Sequence, residues 1–184
     1  ALLSGFQEGT KIAKTAIPCG ETPTLKQVVN PETLDMAGAS VGLIRPKSKL
    51  TVGQRLQAGD TIFGIRSSGM HSNGYSLARV IAENLPDGYF TQLSDGKLLG
   101  MELLKPTTIY ARPINELLDA GVDIHYIQPI TGHGWQKIMR HRRAFDYVVE
   151  KVPRPHIEFT FLQEKGNIGD SDAYETWNMG LGLC

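Results

Sequence analysis

The sequence predicts an α/β (α+β) fold, and three observations support this prediction. Short apolar stretches typical of strands alternate with stretches whose apolar residues recur at helical spacing. Hydrophobic residues make up 41% of the chain and charged residues 21%, as in ordinary globular proteins. The 184 residues are also enough to bury a sizeable core in one domain, or in one domain and part of another.

The first half of the chain contains the clearest strand and helix patterns. The alternation in residues 61–66, with the letters T-I-F-G-I-R, favours a strand. Apolar residues share one side of a helix predicted over residues 75–84. Proline and glycine within residues 45–60 indicate a linker. The other predicted elements are a helix at 2–14 and strands at 16–19 and 37–44.

The second half continues the alternation. Residues 107–120 follow a helical pattern that contains Pro113, so we expect a kink or a late start of this helix. Acidic residues within 170–172 indicate another helix N-terminus, where the helix dipole favours negative charge. The other predicted elements are strands at 124–130, 145–149 and 178–183 and a helix around 135–139.

The charge balance and the cysteines exclude several classes of protein. The formal net charge is zero, so there is no general attraction for nucleic acid or anionic lipid. No apolar run approaches the ~20 residues of a membrane helix. Cys19 and Cys184 are too far apart to indicate a disulfide framework or a zinc site, which fits a cytoplasmic location. The chain starts at Ala1 inside a helical pattern, so we expect its natural beginning to be missing.

The most informative stretch is S-S-G-M-H-S-N-G-Y-S-L at residues 67–77, between a predicted strand and a predicted helix. Its glycines allow a sharp turn, and Asn73 is a favourable cap for the helix. Free N–H groups at such a helix start would bind an anion, most plausibly phosphate, whereas a plain capped turn is the alternative. The spacing is neither that of Walker A nor that of the Rossmann motif. The candidate residues are Ser67, Ser68, Gly69, His71, Ser72, Asn73 and Gly74.

Two further segments carry weaker signals. Thr131 and Gly132 open a second glycine-containing turn into a helix, with Lys137 nearby, which indicates either a second part of an anion site or a capped turn. Glu21 and Thr22 follow a predicted strand, where the carboxylate could bind a ribose hydroxyl, a metal or a proton, or could simply be solvated. The histidines show no metal-ligand spacing, so we predict no metal site.

The string at residues 67–79 resembles that of the phosphoribosylformylglycinamidine cyclo-ligase (AIR synthetase) family. Further matches occur in the same order along the chain, including Gly20-Glu21-Thr22, Pro106-Thr107, Ile130-Thr131-Gly132 and Trp177-Asn178-Met179-Gly180. The departures are Cys19 for a glycine, Thr108 for an arginine and His133-Gly134-Trp135 in the second loop. The resemblance covers essentially the whole chain.

The resemblance implies a particular organisation. Residues 1–48 would be the remnant of the N-terminal ATP-binding and dimerisation domain, and residues 49–184 an AIR synthetase-type C-terminal domain that is incomplete at its C-terminus. The D-G-V-G-T-K type segment that handles ATP and magnesium in the family does not occur in this sequence. The parent would therefore use ATP and Mg²⁺ through residues mostly outside this chain, and it would be a homodimer.

The implied reaction is ATP-dependent closure of the imidazole ring of formylglycinamidine ribonucleotide. In that interpretation the 67–74 loop holds the substrate phosphate, Glu21 and Thr22 contact the ribose or amide region, and Thr131 and Gly132 flank the same cleft. No general base is identified, and we expect the chain alone to be inactive. The alternatives are another ATP-dependent enzyme of the same superfold, of the selenophosphate synthetase, thiamine-phosphate kinase or hydrogenase-maturation type, and a non-catalytic ligand-binding and dimerisation module.

Overall fold

The computed structural model describes residues 2–184, and the described chain forms two compact units. Unit 1 is the described part of the segment up to Leu50 together with Ala111–Val122, and unit 2 is Thr51–Tyr110 together with Asp123–Cys184. Helices and a small sheet occur together, which confirms the predicted α/β class. The assignment of residues 1–48 and 49–184 to two domains stays a prediction, and Ala1 lies outside the described residues.

The described residues contain α-helices, short 3-10 helices and two strands. The α-helices are α1 (Leu2–Ala13), α2 (Tyr75–Glu83), α3 (Leu99–Leu103), α4 (Ala111–Asp119), α5 (Ile157–Lys165) and α6 (Asp170–Thr176). The 3-10 helices are Lys47–Lys49, Gly88–Phe90 and Gly134–Met139, and the strands are β1 (Ile65–Arg66) and β2 (Leu181–Leu183). No helix within residues 2–184 is both long and apolar enough to span a membrane.

Unit 1 contains α1 and α4, and α1 buries no side chain. The helix α4 begins at Ala111, so the late start expected from Pro113 is confirmed: this proline lies in the first turn, where no N–H donor is needed. The predicted strands at 16–19 and 37–44 are wrong. Their alternating apolar residues are exposed. Within residues 2–184 no neighbouring strand forms hydrogen bonds with them, so nothing stabilises an extended conformation there.

The core of unit 2 forms where α2, α3, α5 and α6 meet. Ala78, Ile81 and Ala82 are the buried residues of α2, and this helix is confirmed almost as predicted. Trp177 and Phe159 are 0% exposed and are the largest buried side chains, with ring centroids 6.2 Å apart. Trp177 packs directly against the loop that precedes α2, since a Cβ on Gly74 would collide with its ring.

The strand β2 lies between two extended segments of unit 2. It pairs antiparallel with β1, with Ile65 opposite Leu183. On its other side Gln128 and Cys184 exchange backbone hydrogen bonds of 2.7 and 3.0 Å, and the Ile130 N–H donates to the Gly182 carbonyl at 3.0 Å. The predicted strand at 124–130 is therefore reduced to isolated ladder contacts, and those at 61–66 and 178–183 are shorter than predicted.

Two α-helices of unit 2 were not predicted, and one predicted strand is absent. The sequence of α5 has buried Glu158 and Phe159 side by side and no regular apolar stripe, so its spacing does not indicate a helix. The short helix α3 follows a turn and is fixed by burial of Leu99 and Leu103. The predicted strand at 145–149 is wrong, since within the described chain this segment pairs with no strand.

Within unit 2, a network of charged side chains joins residues 55–60 to residues 123–125. His125 Nδ1 lies 2.6 Å from Asp60 Oδ2, and His125 Nε2 lies 3.1 Å from Asp123 Oδ2. Arg55 forms an ion pair with Asp123. The hydrogen bond to Asp60, with that to Asp123, raises the pKa of His125 above the ordinary 6.5. The contact with His125 lowers the pKa of Asp60, and the contacts with Arg55 and then with His125 lower the pKa of Asp123.

We expect His125→Gln to destabilise the protein more at about pH 6 than at about pH 9. The raised pKa means that the stabilisation by His125 is complete below 6.5 and is lost as the pH rises through the folded-state pKa. Thermal unfolding of both proteins at the two pH values measures the difference. An equal cost of the substitution at both values would contradict a protonated His125 in this network.

Candidate functional site

The serine- and glycine-rich loop lies where the sequence placed it, between β1 and α2 in unit 2. Its first residue, Ser67, is 5% exposed and donates its N–H to the Gly180 carbonyl at 3.0 Å. The Ser67 hydroxyl donates to Asn178 Oδ1 at 3.0 Å, and the Ser67 carbonyl lies 2.8 Å from His156 Nε2. All the polar groups of Ser67 are thereby used in holding the start of the loop.

Asn178 is the centre of the contacts that shape this loop, and its side chain is buried. The Nδ2 group donates to the Gly69 carbonyl at 2.9 Å and to the Met70 carbonyl at 3.0 Å. The Oδ1 atom accepts from the Ser67 hydroxyl and from the Gly180 N–H, the latter at 2.9 Å. One amide side chain thus satisfies four groups, and it turns the loop carbonyls inward and away from any ligand.

His71 faces the inside of the loop. It has a left-handed backbone with φ of 61° and is 8% exposed. Its Nε2 atom accepts the backbone N–H groups of Ser68 at 3.2 Å and Thr108 at 3.4 Å. Burial lowers the pKa of His71, with a further contribution from the charge of His156, which keeps the imidazole neutral and the Nε2 atom an acceptor. In this arrangement His71 orders the loop from within.

Two serine hydroxyls anchor the loop to the segment before α4. The Ser68 hydroxyl donates to the Pro106 carbonyl at 2.6 Å. Ser72 is exposed, and its hydroxyl oxygen lies 3.1 Å from that of Thr107. The Pro106-Thr107 pair, noted in the sequence only as part of a resemblance, is therefore a direct support of the loop.

The N-terminus of α2 carries a set of free backbone donors. The prediction that Asn73 caps this helix is wrong: Gly74 is the cap residue, with φ of 83°, and no side chain within the described residues caps the helix. Among residues 2–184, the N–H groups of 69–77 make no hydrogen bond to another group. Left-handed Gly74 turns the chain sharply here, so the free N–H groups and the positive end of the helix dipole coincide.

The second predicted loop lies beside the first. A Cβ on Gly132 would be 3.3 Å from Asn73 Oδ1, so the two loops touch. Thr131 does not cap the following 3-10 helix; its hydroxyl oxygen accepts a hydrogen bond from Lys137 Nζ instead. This contact holds one ammonium group against Thr131, the residue before Gly132. Asn73, Gly132 and Lys137, with the free donors at the start of α2, are called the donor-rich site below.

A buried carboxyl group lies behind the loop. Glu158 is 0% exposed, and neither of its oxygens has a hydrogen-bond partner among the described residues. A Cβ on Gly69 would be 3.1 Å from Glu158 Oε1. Burial raises the pKa of Glu158, so the neutral carboxyl group persists to a higher pH than is usual for glutamate. Glu158 carries no signal in the sequence, because α5 has no regular apolar stripe that would place it on a buried face.

The remaining candidates lie in unit 1. Glu21 and Thr22 are exposed and belong to a segment without regular structure. Within residues 2–184 no three His, Cys, Asp or Glu side chains come together as metal ligands.

Comparison with known proteins adds an independent finding. Residues 57–137 match a family model described as the C-terminal domain of AIR synthase related proteins. This match spans β1, the serine- and glycine-rich loop, α2 and the second loop up to Lys137. All parts of the donor-rich site described above therefore lie within the matched segment.

Curated relatives match nearly the whole chain. The chain is 36% identical over 182 residues to a phosphoribosylformylglycinamidine cyclo-ligase of Methanocaldococcus jannaschii, covering 98% of this chain and 51% of that protein. Proteins of the same name from Methanothermobacter thermautotrophicus and Methanosarcina barkeri are 35% and 36% identical over 184 residues, with 98% and 97% of this chain covered and 53% of each relative. The chain thus spans about half the length of the curated relatives it matches.

Proposed function

The chain belongs to the AIR synthetase family, and from this membership we propose that it is the C-terminal portion of an ATP-dependent cyclo-ligase of purine biosynthesis. The parent enzyme would close the imidazole ring of formylglycinamidine ribonucleotide, releasing ADP and phosphate. In this proposal ATP activates the formyl-amide oxygen, and the residues that hold ATP and Mg²⁺ lie mostly outside this chain. The parent would be a cytoplasmic homodimer.

The role proposed for the described residues is to bind the phosphate of a ribonucleotide-like substrate. The observation that carries this proposal is the run of free N–H groups at residues 69–77, with Lys137 across the touching second loop. A phosphate at a helix N-terminus accepts such N–H groups and is stabilised by the dipole. Ser67, Ser68 and His71 act in this proposal by shaping the loop, since their polar groups are already engaged.

The contribution of the chain to catalysis would be positional. A phosphate fixed at one end of the substrate orients the reacting groups at the other end, and orientation alone can supply a large part of a rate enhancement. Glu21 and Thr22 are proposed to contact the ribose or amide region. No residue of the chain is proposed as a general base.

We expect Lys137→Met to weaken binding of ribose 5-phosphate about tenfold, because a charged hydrogen-bond donor to phosphate is lost. Isothermal calorimetry on the 184-residue chain measures this. The matched control is Lys165→Met, because the Lys165 side chain at the end of α5 is exposed; this substitution should leave the affinity unchanged. Absence of heat with the unsubstituted chain up to millimolar ribose 5-phosphate would refute the phosphate site.

We expect residues 1–184 alone to release no ADP when mixed with ATP and formylglycinamidine ribonucleotide. The reason is that most of the proposed ATP-binding residues are not part of the chain. A coupled ADP assay, with the full-length parent as positive control, tests this expectation. Substrate-dependent ADP release by the chain alone would show that the ATP-binding residues have been misplaced.

A non-catalytic ligand-binding module is the second candidate function. It is favoured by the run of free N–H groups at residues 69–77, which would bind an anion whether or not the parent is a catalyst. The two candidates differ in one measurement: a parent protein that binds ribose 5-phosphate but never turns over formylglycinamidine ribonucleotide with ATP would favour the module.

A further inference from the structure

The start of α5 supports the serine- and glycine-rich loop with two titratable side chains. His156, the residue before this helix, has its Nε2 atom 2.8 Å from the Ser67 carbonyl. Glu158, the second residue of the helix, lies beside Gly69, since a Cβ added to that glycine would be 3.1 Å from Glu158 Oε1. Gly69 is the first residue in the run of free N–H groups. The Glu158 carboxyl group therefore lies behind the segment that is proposed to bind phosphate.

Glu158 is enclosed without a partner for its charge. It is 0% exposed, and neither of its oxygens has a hydrogen-bond partner among residues 2–184. The lysines nearby are engaged with another carboxylate: Lys105 forms an ion pair with Glu102, and Lys97 Nζ lies 3.9 Å from Glu102 Oε1. A buried carboxylate without hydrogen bonds is far less stable than the neutral carboxyl group. The geometry therefore favours the protonated form of Glu158.

The groups that face Glu158 from the neighbouring elements act in opposite directions. The helix α5 packs against α2, which contributes the uncharged Tyr75, and against α3, which with the residues after it contributes Glu102 and Lys105. Burial raises the pKa of Glu158, and the charge of Glu102 adds to this effect. The charges of His156 and Lys105 oppose it without cancelling it, so the pKa stays above the ordinary 4.5.

We propose that Glu158 is a positioning residue of the loop: its neutral carboxyl group supports Gly69, and loss of its proton weakens the binding of an anion to the free N–H groups. The ionised side chain would itself be an anion behind these donors, so it would oppose a bound phosphate electrostatically. Anion binding and retention of the proton are thereby linked, and each favours the other. This inference rests on the proposed phosphate role of the loop and adds a dependence on pH to it.

The test measures the binding of inorganic sulfate to the 184-residue chain by calorimetry at about pH 5.5 and about pH 8.5. Sulfate is fully ionised at both pH values, so the probe itself does not titrate. We expect the affinity of the unsubstituted chain to fall about tenfold further between the two pH values than that of Glu158→Gln. Histidines near the loop also lose charge over this range, but they are present in both proteins and do not contribute to the difference.

The matched control is Glu164→Gln, because Glu164 lies on the same helix with its side chain exposed. This variant should keep the pH profile of the unsubstituted chain. Sulfate binding with the same pH profile in Glu158→Gln as in the unsubstituted chain would overturn the inference and leave the phosphate site intact. Absence of sulfate binding at both pH values would refute the phosphate site and the inference with it.

Thermal unfolding adds a measurement that needs no ligand. Because the pKa of Glu158 is raised, the stability associated with its proton is complete below 4.5 and is lost as the pH rises through the folded-state pKa. The unsubstituted chain should therefore lose more thermal stability between about pH 5.5 and about pH 8.5 than Glu158→Gln or Glu158→Leu does. An equal loss in all three proteins would overturn the inference, since Glu158 would then not exchange its proton in the folded state.

Discussion

Asn178→Ala is expected to lower the free energy of unfolding by about 3–4 kcal/mol, because it leaves several buried polar groups without partners. The affected groups are the Gly69 and Met70 carbonyls, the Ser67 hydroxyl and the Gly180 N–H. The loop carbonyls would then be free to turn outward. Binding of ribose 5-phosphate should be lost together with the stability.

Denaturant unfolding and calorimetry on the same protein measure the two effects of Asn178→Ala. The control is Asn84→Ala, because the exposed Asn84 side chain makes a single hydrogen bond, to the Val80 carbonyl at 2.7 Å. That substitution should cost about 1 kcal/mol or less. If both substitutions cost the same, the buried amide does not have the organising role that the contacts indicate.

Gly74→Ala is expected to destabilise the protein by about 3 kcal/mol, through a strained backbone and a collision. Gly74 has φ of 83°, and an added Cβ would meet the ring of Trp177, whose Nε1 donates to the Gly74 carbonyl at 3.2 Å. Relief of the collision has to move the start of α2. The free donors would move with it, so phosphate affinity should fall as well.

A second glycine separates the two causes. Gly96 has φ of 82°, nearly that of Gly74, but no atom lies within 4 Å of the position of an added Cβ. Gly96→Ala should therefore show the backbone cost alone, about 1–2 kcal/mol, with unchanged ribose 5-phosphate binding. If Gly74→Ala lowers the free energy of unfolding no more than Gly96→Ala does, the Trp177 ring can move away from the added Cβ at no cost in stability, which would contradict the expected collision.

The sequence predicted α2 and the position of the main loop because both depend on local spacing. Apolar residues at helical intervals are readable without knowledge of the rest of the chain, and glycine with serine before them marks the turn. The glycines of the second loop are also readable from the sequence, but the contact of Gly132 with Asn73 depends on the folded chain and is not.

Other features depend on distant residues, and spacing does not report them. Asn178 supports the loop from more than a hundred residues away, and the wrong strands at 16–19 and 37–44 lack the partner that an extended segment needs. The orientation of His71 also depends on distant residues. Its polar neighbours suggested a side chain facing a ligand, whereas burial and two backbone amides turn it inward.

The pairing of β2 with two segments at once limits the local opening of the loop. The loop start depends on Gly180, immediately before β2, while Ile130 and Gln128 are bonded to the same strand from its other side. Neither neighbour can detach without disturbing the strand that the other uses. The Ser67 and Ile130 amide protons should therefore exchange with deuterium at a common, slow rate, so that a surface turn rich in glycine and serine opens only as often as the sheet does.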